Sequence, residues 1–107
     1  MDFNLIRKDM KMFSFEALRT DCDNFFEGVV VGQEVERLCG RLQSLLGDPV
    51  YPSKQKLAHK VRQTVDGFGG LIAGQTLYYK DLGQDGIFAM LWPWKDGQRT
   101  TVKIIQK

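Results

Sequence analysis

The chain has 107 residues, with 15 Lys/Arg, 13 Asp/Glu, one His, a formal net charge of +2 and 43% hydrophobic residues. These are ordinary values for one globular domain, of a size that buries roughly 60–70% of its unfolded surface. They exclude a disordered or fibrous chain, and the charge is too small to imply a nucleic-acid partner by itself.

The opening residues are ambiguous. Phe3, Ile6, Met10 and Phe13 fit helical spacing, but a short strand would serve as well. Asp2 and the lack of an apolar run argue against a secretory leader. No stretch approaches the ~18–20 apolar residues of a membrane span, so a cytoplasmic protein with no membrane partner is expected. A first helix is predicted from Ser14, a good N-cap, to Glu27, because Phe15, Leu18, Cys22, Phe25 and Phe26 share one arc. Val29-Val30-Val31 follows as an apolar connector between Gly28 and Gly32. A second helix is predicted over 33–46: Val35, Leu38, Cys39, Leu42, Leu45 and Leu46 form its stripe, and Gly47 then Pro49 end it. A third runs from about Ser53 to Asp66, burying Leu57, Ala58, Val61, Val65 and Phe68 and leaving Lys56, His59, Lys60, Arg62 and Gln63 outward.

A strand over about 75–80 and a loop over 81–86 lead into a β-hairpin. Asp96-Gly97 between two β-rich runs is a strong hairpin signal, because a type I′ turn needs φ > 0 at both central positions. Setting Lys95 opposite Gln98 fixes the register. Phe88, Met90, Trp92 and Trp94 then share a face with Arg99, Thr101, Lys103 and Ile105, whereas Ile87, Ala89, Leu91, Val102 and Ile104 share the other. The expected fold is α+β: three amphipathic helices (residues 1–69) followed by a three-stranded antiparallel meander (70–107), in two layers of a single domain. The meander is loosely similar to that of RelE/ParE-type toxins. That likeness covers residues 70–107 and rests on topology, so it carries over no residues and no activity.

The chemistry is sparse. Cys22 and Cys39 have neither metal spacing nor a disulfide framework and read as buried, inert thiols. No paired-His motif, Cys-x-x-Cys or nucleophile elbow occurs, so no catalytic residue, metal or cofactor is assigned. Gly67, Gly69 and Gly70 follow a helix C-terminus, where the dipole repels phosphate. His59 beside Lys56 and Arg62 would suit a metal-independent ribonuclease only with Tyr78, Tyr79 or Arg99 nearby; a solvated surface histidine is the plainer reading.

Charge is uneven: residues 1–52 hold six cations against nine carboxylates, and 53–107 hold nine against four. This marks a basic binding surface, or two halves of one fold in attraction. Both sheet faces are apolar and each needs a cover. The bulkier face, with Tyr79, Phe88, Met90 and Trp92, is expected to receive the helices, with Arg99 and Lys103 reaching out from the last strand as an edge. The other face, Ile87, Ala89, Leu91, Thr100, Val102 and Ile104, spans about 350 Å², within the range of functional patches on monomers. Its cover is the N-terminal segment with Phe3, Ile6 and Met10, a second copy, or another protein. A partner is favoured, which makes the chain a non-enzymatic binding protein of inhibitor, immunity or phage-accessory type, with homodimerisation expected. The alternative is a single-stranded RNA binder or ribonuclease using Lys56, His59, Lys60, Arg62, Trp92, Trp94, Arg99 and Lys103.

Overall fold

The computed structural model describes residues 3–52, 57–67, 69–70 and 74–107. The elements run α1 (Phe3–Met10), β1 (Phe15–Asp21), β2 (Phe25–Val31), α2 (Gly32–Leu46), α3 (His59–Asp66), β3 (Thr76–Asp81), β4 (Gly86–Pro93) and β5 (Arg99–Gln106). All five strands form one antiparallel sheet in the order β1-β2-β5-β4-β3. The expected three helices followed by a three-stranded meander is therefore incorrect. The sheet begins at Phe15, and the meander is only part of it.

The error lies in residues 14–27, which form a β-hairpin rather than a helix. Pairing partners across an antiparallel ladder share a face. Phe15 pairs with Val30, Leu18 with Gly28 and Asp21 with Phe26, and the register shifts between Phe15 and Ala17 and again between Leu18 and Thr20. Each bulge inserts one extra residue. Residues 15, 18 and 21 thus share one face at a spacing of three, and this is why Phe15 and Leu18 also fall in one arc of a helical wheel. The Cys22 amide donates to the Phe25 carbonyl at 2.8 Å and closes the turn. The apolar connector Val29–Val31 is the end of β2, as its β-branched residues favour.

The second helix forms as predicted, burying Leu38, Leu42 and Leu46, and Gly47 at φ 89° ends it. The third begins at His59 and buries Val61 and Val65; its predicted start at Ser53, Lys56 and Phe68 lie outside the described residues. The register read from Lys95–Gln98 is the observed one: Phe88 pairs with Ile105, Met90 with Lys103 and Leu91 with Val102. The turn differs. Gly97 has φ 70° but no non-glycine residue among those described has positive φ, so the two-residue type I′ turn does not form. A longer loop closes instead. The Trp94 amide donates to Arg99 O at 2.8 Å, and Asp96 Oδ1 accepts from the amides of Gln98 (2.8 Å) and Arg99 (3.1 Å).

These amide bonds hold the Asp96 carboxyl below its usual range, with the Arg99 guanidinium adding to them. A lowered folded-state pKa gives stability that is present above the ordinary carboxyl range and lost as pH falls through the folded value. Asp96→Ala should therefore speed hydrogen exchange of the Gln98 and Arg99 amides at neutral pH. Wild type should approach that behaviour only in acid.

Helices cover both faces, so the fold has three layers rather than two. One core joins Phe3, Ile6 and Met10 of α1 and Leu38, Leu42 and Leu46 of α2 to Phe26, Val30, Tyr78, Ile87, Ala89, Leu91, Val102 and Ile104 of the sheet. The other joins Val61 and Val65 of α3 to Leu77, Phe88, Met90 and Ile105, with Trp92 packed at its margin. The N-terminal segment is thus part of the cover for the face expected to be open. Its apolar spacing makes it helical, and Arg7 (2.8 Å) and Lys11 (2.5 Å) bind Asp21 and pin α1 to the first hairpin.

Candidate binding surface

The six residues expected to form a docking face are in the core: Ile87, Ala89, Val102 and Ile104 at 0% exposure, Leu91 at 2% and Thr100 at 6%. Burial under α1 and α2 removes them as a contact surface. Among the described residues only half of the other face is covered, because α3 is eight residues long and packs over β3, β4 and Ile105. The part built from β1, β2 and the hairpin end of β4 and β5 carries the side chains that remain outward.

Trp94 is at the centre of this part. It is 38% exposed, and its indole Nε1 donates to Thr101 Oγ1 at 2.8 Å, which draws the ring back over β5. Val29 pairs with Thr101 and so faces the same side; it is 1% exposed yet belongs to neither core cluster. Two guanidiniums flank the ring, Arg99 at 5.6 Å and Arg19 at 5.8 Å from its centroid. Lys103 Nζ lies 3.8 Å over the ring of Trp92, whose own Nε1 is buried without a hydrogen-bond partner.

Carboxylates alternate with these cations. Glu16 takes both its oxygens to Arg99 Nε (2.9 and 2.7 Å), Asp96 reaches Arg99 at 2.8 Å, and Glu27 pairs with Arg19 at 3.2 Å. Hydrogen bonds donated to Glu16 and then to Asp96 push the Arg99 guanidinium further above its ordinary value. Arg99–Glu16 also joins the acidic N-terminal half of the chain to the basic C-terminal half. Beyond Arg99 the surface opens into a cleft of about 500 Å³ between Glu16, the β2–α2 junction at Val31, Gly32 and Gln33, and the hairpin loop. Arg99 is the cation of this cleft and is already bound by two carboxylates, which leaves it poorly placed to hold an anion.

Trp92, Trp94, Arg99 and Lys103 are therefore brought together, as the RNA alternative supposed. Arg99 and Lys103 do not reach out from an edge, however, since β5 lies between β2 and β4. His59, Lys60 and Arg62 are exposed on α3 but are not turned toward the sheet, the side that Val61 and Val65 face. Lys56 lies outside the described residues. Of the residues that would have to join His59, Tyr78 is buried on the opposite sheet face and Arg99 is held by Glu16 and Asp96, whereas Tyr79 packs on the α3 side beside Phe88. Among the described residues no group of three or more His, Cys, Asp or Glu could hold a metal ion, and no helix is long and apolar enough to cross a membrane.

Of the two thiols expected to be buried, Cys22 is exposed in the hairpin turn and Cys39 is half-buried. Burial pushes the Cys39 thiol up against the opposing effect of its hydrogen bond with Tyr78. Burial, then the neighbouring Cys39, pushes the Tyr78 phenol up to about 12. The pair is a packed polar contact beneath α2.

Sequence reasoning missed Glu16, Arg19 and Glu27. On the predicted helix Glu16 and Glu27 fall outside the apolar arc, on its solvent face, whereas the hairpin brings all three residues to Trp94 and Arg99. The Asp23-Asn24 turn signal ahead of the Phe- and Val-rich run Phe25–Val31 was the one sign of that hairpin. The likeness to the toxin meander loses its basis, because the strands of residues 70–107 close a sheet that β1 and β2 begin. Comparison with known protein families, with curated proteins and with solved structures finds no match, so the surface is read from its own chemistry.

Proposed function

We propose that the protein is a non-enzymatic binding protein acting by protein–protein contact, and that the contact surface is the open half of the α3-side sheet face centred on Trp94. The observation that supports this is a half-exposed tryptophan flanked by two arginines and ringed by alternating charges. Tryptophan and arginine are the residues most enriched where interfaces concentrate their binding energy.

Single-stranded RNA is the second reading, favoured by the interleaving of Trp92 and Trp94 with Lys103, Arg19 and Arg99. Charge weighs against it. Glu16, Glu27 and Asp96 balance Arg19, Arg99 and Lys103, so a phosphate backbone gains little from crossing the surface. Stacking on two rings at about 1–3 kcal/mol each gives a Kd of tens of micromolar at best.

Tryptophan fluorescence titrated with oligouridylate at low salt tests the choice. No saturable change is expected up to about 1 mM, well above that best-case Kd. Saturable quenching that weakens with salt and disappears in Trp94→Ala would hand the surface to RNA. Protein crosslinks captured from a photoreactive side chain at Lys95, and lost in Trp94→Ala, are the matching positive result.

A further inference from the structure

We infer that the occupant of this surface is a second copy of the chain, docked as an isologous dimer; the inference rests on reading the Trp94 surface as a protein contact. A two-fold axis sets a patch against itself, so the patch must carry both signs of charge in near balance. A uniformly basic patch would repel its own copy and suit an acidic partner. This one holds Arg19, Arg99 and Lys103 against Glu16, Glu27 and Asp96, with the two arginines at the Trp94 ring and Lys103 at that of Trp92. The ion pairs are already formed within each copy. Excluding water from Arg19–Glu27 and from Arg99 with Glu16 and Asp96 therefore strands neither guanidinium, which is the condition under which charged groups tolerate an interface, and Lys103 keeps its contact with the Trp92 ring. A net charge of +2 on the whole chain leaves little long-range repulsion between copies.

Size fixes the strength. Three strands of seven or eight residues cover roughly 23 by 14 Å, or about 300 Å² in plan. A standard stable interface buries about 800 Å² per partner. The dimer is accordingly weak and reversible, with a dissociation constant of about 10 µM to 1 mM.

Sedimentation velocity from about 10 µM to a few millimolar brackets that range. A concentration-dependent shift from monomer to dimer is expected, with Trp94→Ala raising the midpoint about tenfold or more at unchanged circular dichroism, as loss of a central anchor does. Charge supplies a second test. The acidified variant (Arg19→Glu with Lys103→Glu) and the basified variant (Glu16→Lys with Glu27→Lys) are each expected to stay monomeric, whereas their mixture associates. A single monomeric species across the whole range overturns the inference, as does a dimer that Trp94→Ala leaves intact. A monomer with a flat RNA titration removes only the second copy and leaves a different protein as partner. A monomer that binds oligouridylate removes the protein-contact reading as well.

Discussion

Leu91→Lys is expected to abolish the cooperative thermal transition. Leu91 is 2% exposed on β4, within the core that α1 and α2 form with the sheet. A lysine there places an unpaired ammonium among Leu, Ile and Phe side chains. The cost is several kilocalories per mole, even if the group loses its proton to escape the charge. It comes on top of the lost apolar packing, against a total stability of about 5–15 kcal/mol for a domain of ordinary size. Circular dichroism melting and the dispersion of amide proton resonances measure the outcome. If β4 turned this face to solvent, the variant would stay a folded monomer and lose only a partner. A sharp melt near the wild-type temperature would thus contradict the α1–α2 cover.

Phe88→Ala tests the opposite layer. Phe88 is 1% exposed, its ring centroid lies 4.8 Å from that of Tyr79, and Val61 and Val65 of α3 share its cluster. Truncating a buried phenylalanine costs about 3–5 kcal/mol, combining lost transfer energy with the cavity left behind. Chemical denaturation should show the midpoint falling by that energy divided by the m-value, with the m-value itself unchanged. Trp94→Ala should cost clearly less, because more than a third of that side chain is already in water. Equal losses for the two variants would mean that Trp94 is a core residue and that its exposure carries no functional meaning.

The legible parts of the fold were those where one local signal dominates. The stripe Leu38, Leu42 and Leu46 with Gly47 behind it defined α2, and Asp96-Gly97 set the β4–β5 register even though the loop closes by another geometry. Tyr79 shares the face of Phe88 and Met90 as expected, since it pairs with Phe88. The hairpin of β1 and β2 was illegible for a physical reason: two bulges within seven residues convert a period of two into a period of three, which mimics a helix. That one substitution propagated. Without two further strands, β5 became an edge, and the first layer lost the hairpin to which α1 is pinned. The face under α1 and α2 was then left open. The candidate surface was half legible. Trp92, Trp94, Arg99 and Lys103 were grouped correctly because they belong to one hairpin. Their partners Glu16, Arg19 and Glu27 come from 72 to 83 residues earlier, counted from Arg99. No periodicity reports such a distance.

The position of β5 has a consequence for how the chain is made. Its eight residues pair with β2 on one side and β4 on the other, so two hairpins synthesised earlier have no shared ladder until 99–106 appear. Until residues 99–106 are in place the two hairpins are separate ribbons, each with a greasy unpaired margin, and they become one sheet only when β5 slots between them. Such late, long-range closure slows folding and prolongs the interval in which bare strands can meet the wrong neighbour. Demand for chaperone protection should accordingly peak just before this strand is complete.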